Sequence, residues 1–325
     1  MTFNKIVVAG ASGNLGARIL RKLLKSADHV FQVTVLTRSK NKGPESFLSA
    51  AGLPLSSPNK PVVVSVEYDD HLTLVQALKG NDVLIAAIAG TIVMQIDPLL
   101  LSAAQEAAVR RIIPSQYTLD VLHPAAQALF QDEWPNAFPV VVAQQYKMLA
   151  DAGGPTSYTC ILTSMFLDVF LETALFGAYD IRGRKATLVD DGAAFFTACS
   201  TDFIAASVVA MLKLPEEATK NKRIPIAEVR TTGNELIKII EEVFSIKMNV
   251  QHKSSDQMRS ERKIALAAGD SRMAYALTVA KLAGDGSGPG DLSDGLNFGT
   301  EGALILHRKS LKELVLRVKQ RIPYA

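Results

Sequence analysis

Gly10, Gly13 and Gly16 stand three apart directly behind the apolar run Ile6-Val7-Val8-Ala9, and Ala17-Arg18-Ile19-Leu20 opens a helical pattern at once. A strand, a glycine turn and a helix N-terminus in that order suit a phosphate. Glycine lets the backbone turn tightly and approach the ligand, while the free N–H groups and dipole of the new helix attract the anion. Gly10, Ser12, Gly13, Asn14, Leu15 and Gly16 are therefore the first binding candidates, and the ligand class is a dinucleotide. Thr37-Arg38 follows at the end of the next apolar run, with Lys40 and Lys42 close behind. An acid at that place would hold the ribose hydroxyls of NAD. Arginine instead offers two hydrogen bonds to a 2′-phosphate and a flat face for adenine, so NADPH/NADP+ is the expected cofactor. A solvated basic loop is the plainer alternative.

Such residues need a sheet to carry them. Apolar runs over 32–37, 61–66, 82–88, 110–114 and 158–163 read as further strands buried on both faces. Helical patterns lie between them over 72–78, 99–109 and 140–152, and Asp97-Pro98 reads as the cap and first residue of the second of these. The expected fold is α/β, a Rossmann-type doubly wound parallel sheet with a smaller, mostly helical C-terminal substrate lobe. Residues 1–164 would form the NADP(H)-binding domain and 165–325 the lobe, with 201–230 returning to the sheet. Past Ser164 the pattern predicts a helix over 165–176, a turn at 190–192, a helix over 201–212 and a strand at 224–227. Thr232-x-x-Glu235 marks a capping box, and residues 256–282 read as helical. The glycine-rich stretch 284–302 reads as a mobile surface loop, or else a lid. A short helix over 311–318 closes the chain.

The chain has 325 residues, a net charge of +3 and two cysteines, Cys160 and Cys199. No long block of one charge sign points to nucleic acid or a membrane surface. Two cysteines in apolar surroundings suit a reducing compartment and define no disulfide scaffold. No apolar run reaches the ~20 residues of a membrane span, and a cytoplasmic protein is expected. His29, His71, His123, His252 and His307 show no paired ligand spacing, so no metal is expected.

Taken together, these motifs resemble the NmrA-like and isoflavone-reductase-like atypical short-chain dehydrogenases. The resemblance rests on residues 10–16, on Tyr68-Asp69-Asp70-His71-Leu72 continuing to Ile85, and on Arg111-Ile112-Ile113-Pro114-Ser115-Gln116-Tyr117. Tyr158-Thr159, Asp202 and Thr232-Gly233-Asn234-Glu235-Leu236 add to it, over roughly residues 3 to 250. It implies that Asp69 and Asp70 accept from adenine, although either acid could instead cap the helix at Leu72. It implies that Ile88, Ala89 and Gly90 admit the cofactor, that Pro114 and Ser115 stand beside nicotinamide, and that Thr163, Ser164, Met165 and Phe166 line the substrate pocket. A Met and aromatic pair at a strand end is more often core than site, which is the alternative for Met165 and Phe166.

Two departures concern the chemistry. Reductases of the family often carry Pro-Ser-Glu-Phe-Gly where this chain has Pro114-Ser115-Gln116-Tyr117-Thr118, and they place a lysine on the helix before the sixth strand. Ungapped spacing puts Ala143 or Gln144 at that lysine, with Lys147 about a turn later. Lys147 is thus either the catalytic acid–base group or a surface residue paired with Asp151 at i,i+4. No Tyr-x-x-x-Lys pair exists, since Tyr146 and Lys147 are adjacent. Tyr117 is the other catalytic candidate, with a packed aromatic as its alternative. The resemblance implies an NADPH-dependent reductase of a small organic, aromatic or unsaturated substrate. The alternatives are an NADP(H)-sensing regulator without turnover, for which a protein partner is expected, and a non-redox cyclase or isomerase. A homodimer is compatible with each.

Overall fold

In the computed structural model, which describes residues 3–90, 92–134, 137–151, 153–174, 178–299 and 306–322, the chain divides into two units. The first comprises residues 1–116, 138–161 and 204–224; the second comprises 117–137, 162–203 and 225–325.

The elements begin with β1 (Lys5–Ala9), α1 (Asn14–Leu24), β2 (Gln32–Thr37), α2 (Pro44–Ala50), β3 (Val62–Ser65) and α3 (His71–Leu78). Next come β4 (Val83–Ala86), α4 (Val93–Glu106), β5 (Arg111–Ile113), α5 (Pro124–Glu133), α6 (Phe138–Asp151) and β6 (Ser157–Leu162). Then follow β7 (Met165–Phe166), α7 (Leu167–Thr173), β8 (Tyr179–Asp180), β9 (Lys185–Val189), β10 (Phe195–Cys199), α8 (Thr201–Lys213), α9 (Glu216–Thr219) and β11 (Lys222–Pro225). The chain continues through β12 (Val229–Thr232), α10 (Gly233–Phe244), β13 (Asn249–Lys253), α11 (Ser255–Ala267), α12 (Ser271–Gly284) and α13 (Leu311–Arg321).

The first unit holds a seven-stranded sheet in the order β11-β6-β5-β4-β1-β2-β3. Each pairing from β6 across to β3 is parallel, with Val8 opposite both Val35 and Ile85. The continuous apolar runs have their physical reason here: β4 and β5 are buried along their whole length, as expected of strands covered on both faces. Val7, Leu84 and Ile112 pack with Leu74, Leu78, Leu100 and Tyr146 in one core cluster. The returning strand expected at 224–227 is present as β11, two residues earlier.

One charged side chain belongs to this core. Arg111 is 1% exposed and donates to Ser157 Oγ at 2.8 Å, Thr159 Oγ1 at 2.8 Å, Thr219 Oγ1 at 2.6 Å and the Glu216 carbonyl at 3.0 Å. Neutral hydroxyls thus replace water around a buried guanidinium, which satisfies its donors. Burial lowers its pKa to about 10.

The expected helix over 99–109 begins six residues earlier, at Val93, and ends at Glu106. Asp97 is therefore no cap. It lies inside α4, in phase with Val93, Leu100, Leu101 and Ala104 on the buried face. Pro98, which has no N–H to give, is carried within the helix as well.

The second unit contains two three-stranded sheets, β12-β10-β7 and β13-β9-β8, together with helices. The helix expected over 165–176 starts later: Met165 and Phe166 first pair with Ala198 and Cys199 as a short parallel strand. Residues 175–176 lie outside the described residues. The helical stretch 256–282 is two helices, because Gly269 turns with φ +74 and Asp270 caps α12 by accepting from the Met273 amide at 2.9 Å. Thr232 caps α10 as expected, accepting from the Glu235 amide at 3.1 Å. The Glu235 carboxylate, however, takes the Thr231 hydroxyl at 2.7 Å, so the box is half made.

The stretch 284–299 is not a free surface loop. The Gly290 carbonyl accepts from the Thr197 amide at 3.0 Å and Ser164 Oγ at 2.8 Å. A Cβ on Gly290 would stand 2.5 Å from Ala283 Cα. Gly290 and Gly295 serve close packing, and residues 300–302 lie outside the described residues. Cys160 and Cys199 are both buried and free, and burial pushes the Cys160 thiol up to about 12.

Candidate functional site

The sheet reverses its winding between β1 and β4, and the glycine turn leaves β1 at that point. Open α/β sheets bind their ligands in such a crevice. Gly10 has φ +83, a left-handed conformation that disfavours a side chain, and a Cβ there would lie 2.3 Å from the Ala87 carbonyl oxygen. A Cβ on Gly16 would lie 2.1 Å from the Gly10 carbonyl oxygen. Gly10 and Gly16 thus allow β1, the turn and α1 to close on one another. Gly13 has another use. It is the N-cap of α1, its own amide donates to the Gly10 carbonyl at 2.9 Å, and it brings no side chain to the first amides of the helix. Those amides remain available to an anion.

Ser12, Gly13 and Asn14 are exposed, whereas Leu15 and Gly16 are buried. Asn14 accepts from Arg18 through its carbonyl at 2.8 Å and through Oδ1.

At the end of β2, Thr37 is buried and its hydroxyl accepts from the Ser39 amide at 3.1 Å. Arg38 is exposed, and its guanidinium makes no ion pair or hydrogen bond among the described residues. Neighbouring β3 ends beside it, since the Val66 amide donates to the Thr37 carbonyl at 2.8 Å. Just beyond, burial raises the Tyr68 phenol to about 12 while the Arg38 cation draws it the other way. Asp69 and Asp70 are both exposed. Asp70 caps α3, accepting from the Thr73 amide at 3.2 Å.

The ends of β4 and β5 are tied together. The Ile88 amide donates to Ser115 Oγ at 3.0 Å. The Ser115 amide and hydroxyl in turn donate to the two oxygens of Asp97 at 3.0 and 2.9 Å. Asp97 is 1% exposed. Burial lifts its carboxyl to about 6, against the opposing pull of the Ser115 amide and hydroxyl. Ala89 and Gly90 are exposed, Ile88 and Ser115 are half-buried, and Pro114 is buried. Asp97 was missed from the sequence because Asp-Pro mimics a helix start; the signal against that was its phase with Val93, Leu100 and Ala104.

The catalytic candidates fare differently. Lys147 is exposed on α6, and no Lys147–Asp151 ion pair forms among the described residues. Its neighbour Tyr146 is 1% exposed, with its ring edge-on to Tyr158 at 5.9 Å. Tyr117 is half-buried and belongs to the second unit. There too, Thr163, Ser164 and Met165 are buried and Phe166 is half-buried. Ser164 adopts φ 51, and the Thr163 amide donates to the Thr118 carbonyl at 2.9 Å. Among the described residues no cluster of His, Cys, Asp and Glu could hold a metal ion. No described helix is long and apolar enough to cross a membrane.

A sheet that reverses at β1 and β4, with a glycine turn and an uncapped helix N-terminus at that point, defines a protein of Rossmann-type fold. The pattern of the NmrA-like family matches residues 2–267, and the chain belongs to that family. It is 27% identical to oxidoreductase aprR of Aspergillus flavus, covering 78% of this chain and 79% of that protein. It is 26% identical to oxidoreductase poxI of Penicillium oxalicum, covering 97% of this chain and 94% of that one. Isoflavone reductase of Pisum sativum is 26% identical, with 79% and 81% covered. Among solved structures, AtPrR2 with NADP+ and (+)pinoresinol has the same fold, with a TM-score of 0.73 at 19% identity over 98% of this chain and 99% of that one.

Proposed function

We propose that this protein is an NADPH-dependent reductase of a small organic substrate, with aromatic or unsaturated secondary metabolites the class to try first. One observation carries the reading. At the same end of the sheet, an uncapped helix N-terminus behind three glycines accompanies an exposed arginine that no acid neutralises among the described residues. The names of the relatives support it: two are oxidoreductases and one is an isoflavone reductase.

The cofactor, when bound, supplies a hydride from its nicotinamide. In this reading Gly10, Ser12, Gly13, Asn14, Leu15 and Gly16 hold the pyrophosphate, with the amides of α1 as donors. Thr37 and Arg38 take the 2′-phosphate, where a guanidinium fork binds two oxygens at once. Asp69 is the acid offered to adenine, since Asp70 is engaged in capping. Ile88, Ala89, Gly90, Pro114 and Ser115 border the redox end, and Thr163, Ser164, Met165 and Phe166 belong to the substrate side. Ser115 is not itself a proton donor here, because its hydroxyl proton is directed at Asp97. With Lys147 exposed, Tyr117 is the proton donor we favour.

The test titrates the full chain with NADPH and NADH, then follows NADPH oxidation with a panel of aromatic carbonyls and conjugated alkenes. Preferential NADPH binding and substrate-dependent oxidation are expected. Tight binding of NADP+ and NADPH with no oxidation across the panel would favour the regulator, and failure to bind either dinucleotide would end the cofactor reading.

A further inference from the structure

The peptide group between Ala87 and Ile88 faces two ways. Its carbonyl oxygen is the atom that leaves no room for a Cβ on Gly10, at 2.3 Å, so it is the wall against which the glycine turn is pressed. Its N–H donates to Ser115 Oγ at 3.0 Å, and Ser115 is gripped at 3.0 and 2.9 Å by the two oxygens of Asp97. Asp97 therefore reaches the turn through three links, each a directional hydrogen bond or a hard contact.

A carboxylate buried this deeply is costly unless it is hydrogen-bonded or paired with a cation, and Ser115 supplies both hydrogen bonds. No cation pairs with it among the described residues. The titratable groups coupled to it are the Tyr68 phenol, just past β3, and the Cys160 thiol on β6. His71 of α3 pairs instead with Glu106, at the far end of α4, at 2.7 Å.

We infer that Asp97 is a positioning residue for the dinucleotide: it orients Ser115, and through Ser115 the Ala87–Ile88 peptide, so that the turn at Gly10 keeps the shape that receives the pyrophosphate. The inference rests on the cofactor reading given above. Ionised Asp97 accepts from both Ser115 donors. Once protonated on the oxygen that faces Ser115 Oγ, it donates there instead of accepting, so the serine hydroxyl proton turns elsewhere and Oγ must accept from Asp97 and from the Ile88 amide together, which shifts the bond from Ile88. Burial places this exchange in mild acid, near the raised value of about 6.

The experiment uses the full chain and four forms: wild type, Asp97→Asn, Ser115→Ala and the double variant. NADPH affinity is read by nicotinamide fluorescence between about pH 5 and about pH 8, with circular dichroism to establish the fold of each. Asp97→Asn and Ser115→Ala should each weaken NADPH about tenfold at neutral pH, the effect of one disturbed hydrogen bond. The double variant should lose no more than either alone, since the two act in series. Wild type should also lose affinity on acidification more steeply than Asp97→Asn. The 2′-phosphate titrates in the same range, but it does so equally for both proteins. Adenosine 2′-monophosphate has no 5′-phosphate to lay on the turn, so all four forms should bind it alike.

Unchanged NADPH affinity in folded Asp97→Asn, or additive losses in the double variant, would overturn the inference. If Asp97→Asn does not fold, unchanged affinity in Ser115→Ala overturns it as well. Wild type that binds neither NADPH nor adenosine 2′-monophosphate would instead overturn the cofactor reading, which separates the two failures.

Discussion

Replacing Asp97 with asparagine should change how stability depends on pH, in the direction opposite to that of most carboxylates. Asp97 titrates from an ordinary 3.8 when unfolded to about 6 when folded. The native state therefore holds this proton more tightly than the unfolded chain, and its contribution is most favourable below pH 3.8. Stability is lost as pH rises from 3.8 towards 6 and is level beyond that. Full ionisation costs about 3 kcal/mol, of which about 2 kcal/mol falls between about pH 4.5 and about pH 7.5. Other groups run the opposite way. Burial pushes Asp82 up, but the Lys5 and Asn4 amides and Arg110 outweigh burial and hold it low, so it gains stability as pH rises. The difference between wild type and Asp97→Asn removes those shared contributions. The amide can accept only one of the two Ser115 bonds, which adds an offset constant with pH. Urea unfolding of both proteins at three pH values gives the difference, provided the m-values agree. Wild type should lose about 2 kcal/mol relative to the variant across the range. A difference that stays level to within roughly 0.5 kcal/mol, or one that grows with pH, would refute the reasoning. A carbon-13 titration of the Asp97 carboxyl in wild type with a midpoint in the ordinary range for aspartate would do the same.

Arg38→Ala should weaken NADPH by about 10- to 100-fold, the worth of charge-assisted bonds to a phosphate, while leaving NADH within about threefold; equal losses would remove Arg38 from the 2′-phosphate. Gly16→Ala sets a helix-propensity gain of about 1 kcal/mol against a Cβ 2.1 Å from the Gly10 carbonyl oxygen. The backbone must shift, at about 1–3 kcal/mol or more, so thermal unfolding should move to lower temperature together with a loss of NADPH affinity, and an unchanged midpoint would contradict the close approach. Lys147→Ala, at an exposed position, should leave stability within about 0.5 kcal/mol and turnover unaltered; a large fall in kcat with the fold intact would return Lys147 to the role of proton donor.

The parallel sheet was readable in the sequence because burial on both faces leaves unbroken apolar runs, and even the late strand β11 left its mark. The glycine turn was readable because backbone conformation and close approach demand glycine, and nothing else satisfies both. Asp97 was hidden by local chemistry. Asp-Pro is a good helix start, and only its phase within a longer amphipathic pattern reveals that it faces the core. Asp70 was ambiguous for the same reason, since a capping acid and a ligand-binding acid look alike in one dimension. The glycine-rich stretch after α12 misled in a different way. Glycine there admits neighbouring backbone at Gly290 and Gly295, and composition does not separate that use from looseness.

The strand order also bears on how the protein emerges from the ribosome. β6 gains its outer neighbour only when residues 222–225 have been made, after 162–203 have been synthesised for the other unit. Until then the nascent sheet has an open edge. The same delay applies to Arg111, whose partners Thr219 and the Glu216 carbonyl arrive with α9. A chain stalled before residue 216 would hold a guanidinium with two of its acceptors missing and a strand with nothing on its outer side. Such an intermediate invites strand pairing between neighbouring chains. Completion of the first unit is therefore a late event in synthesis, although its nucleotide turn is among the first residues made.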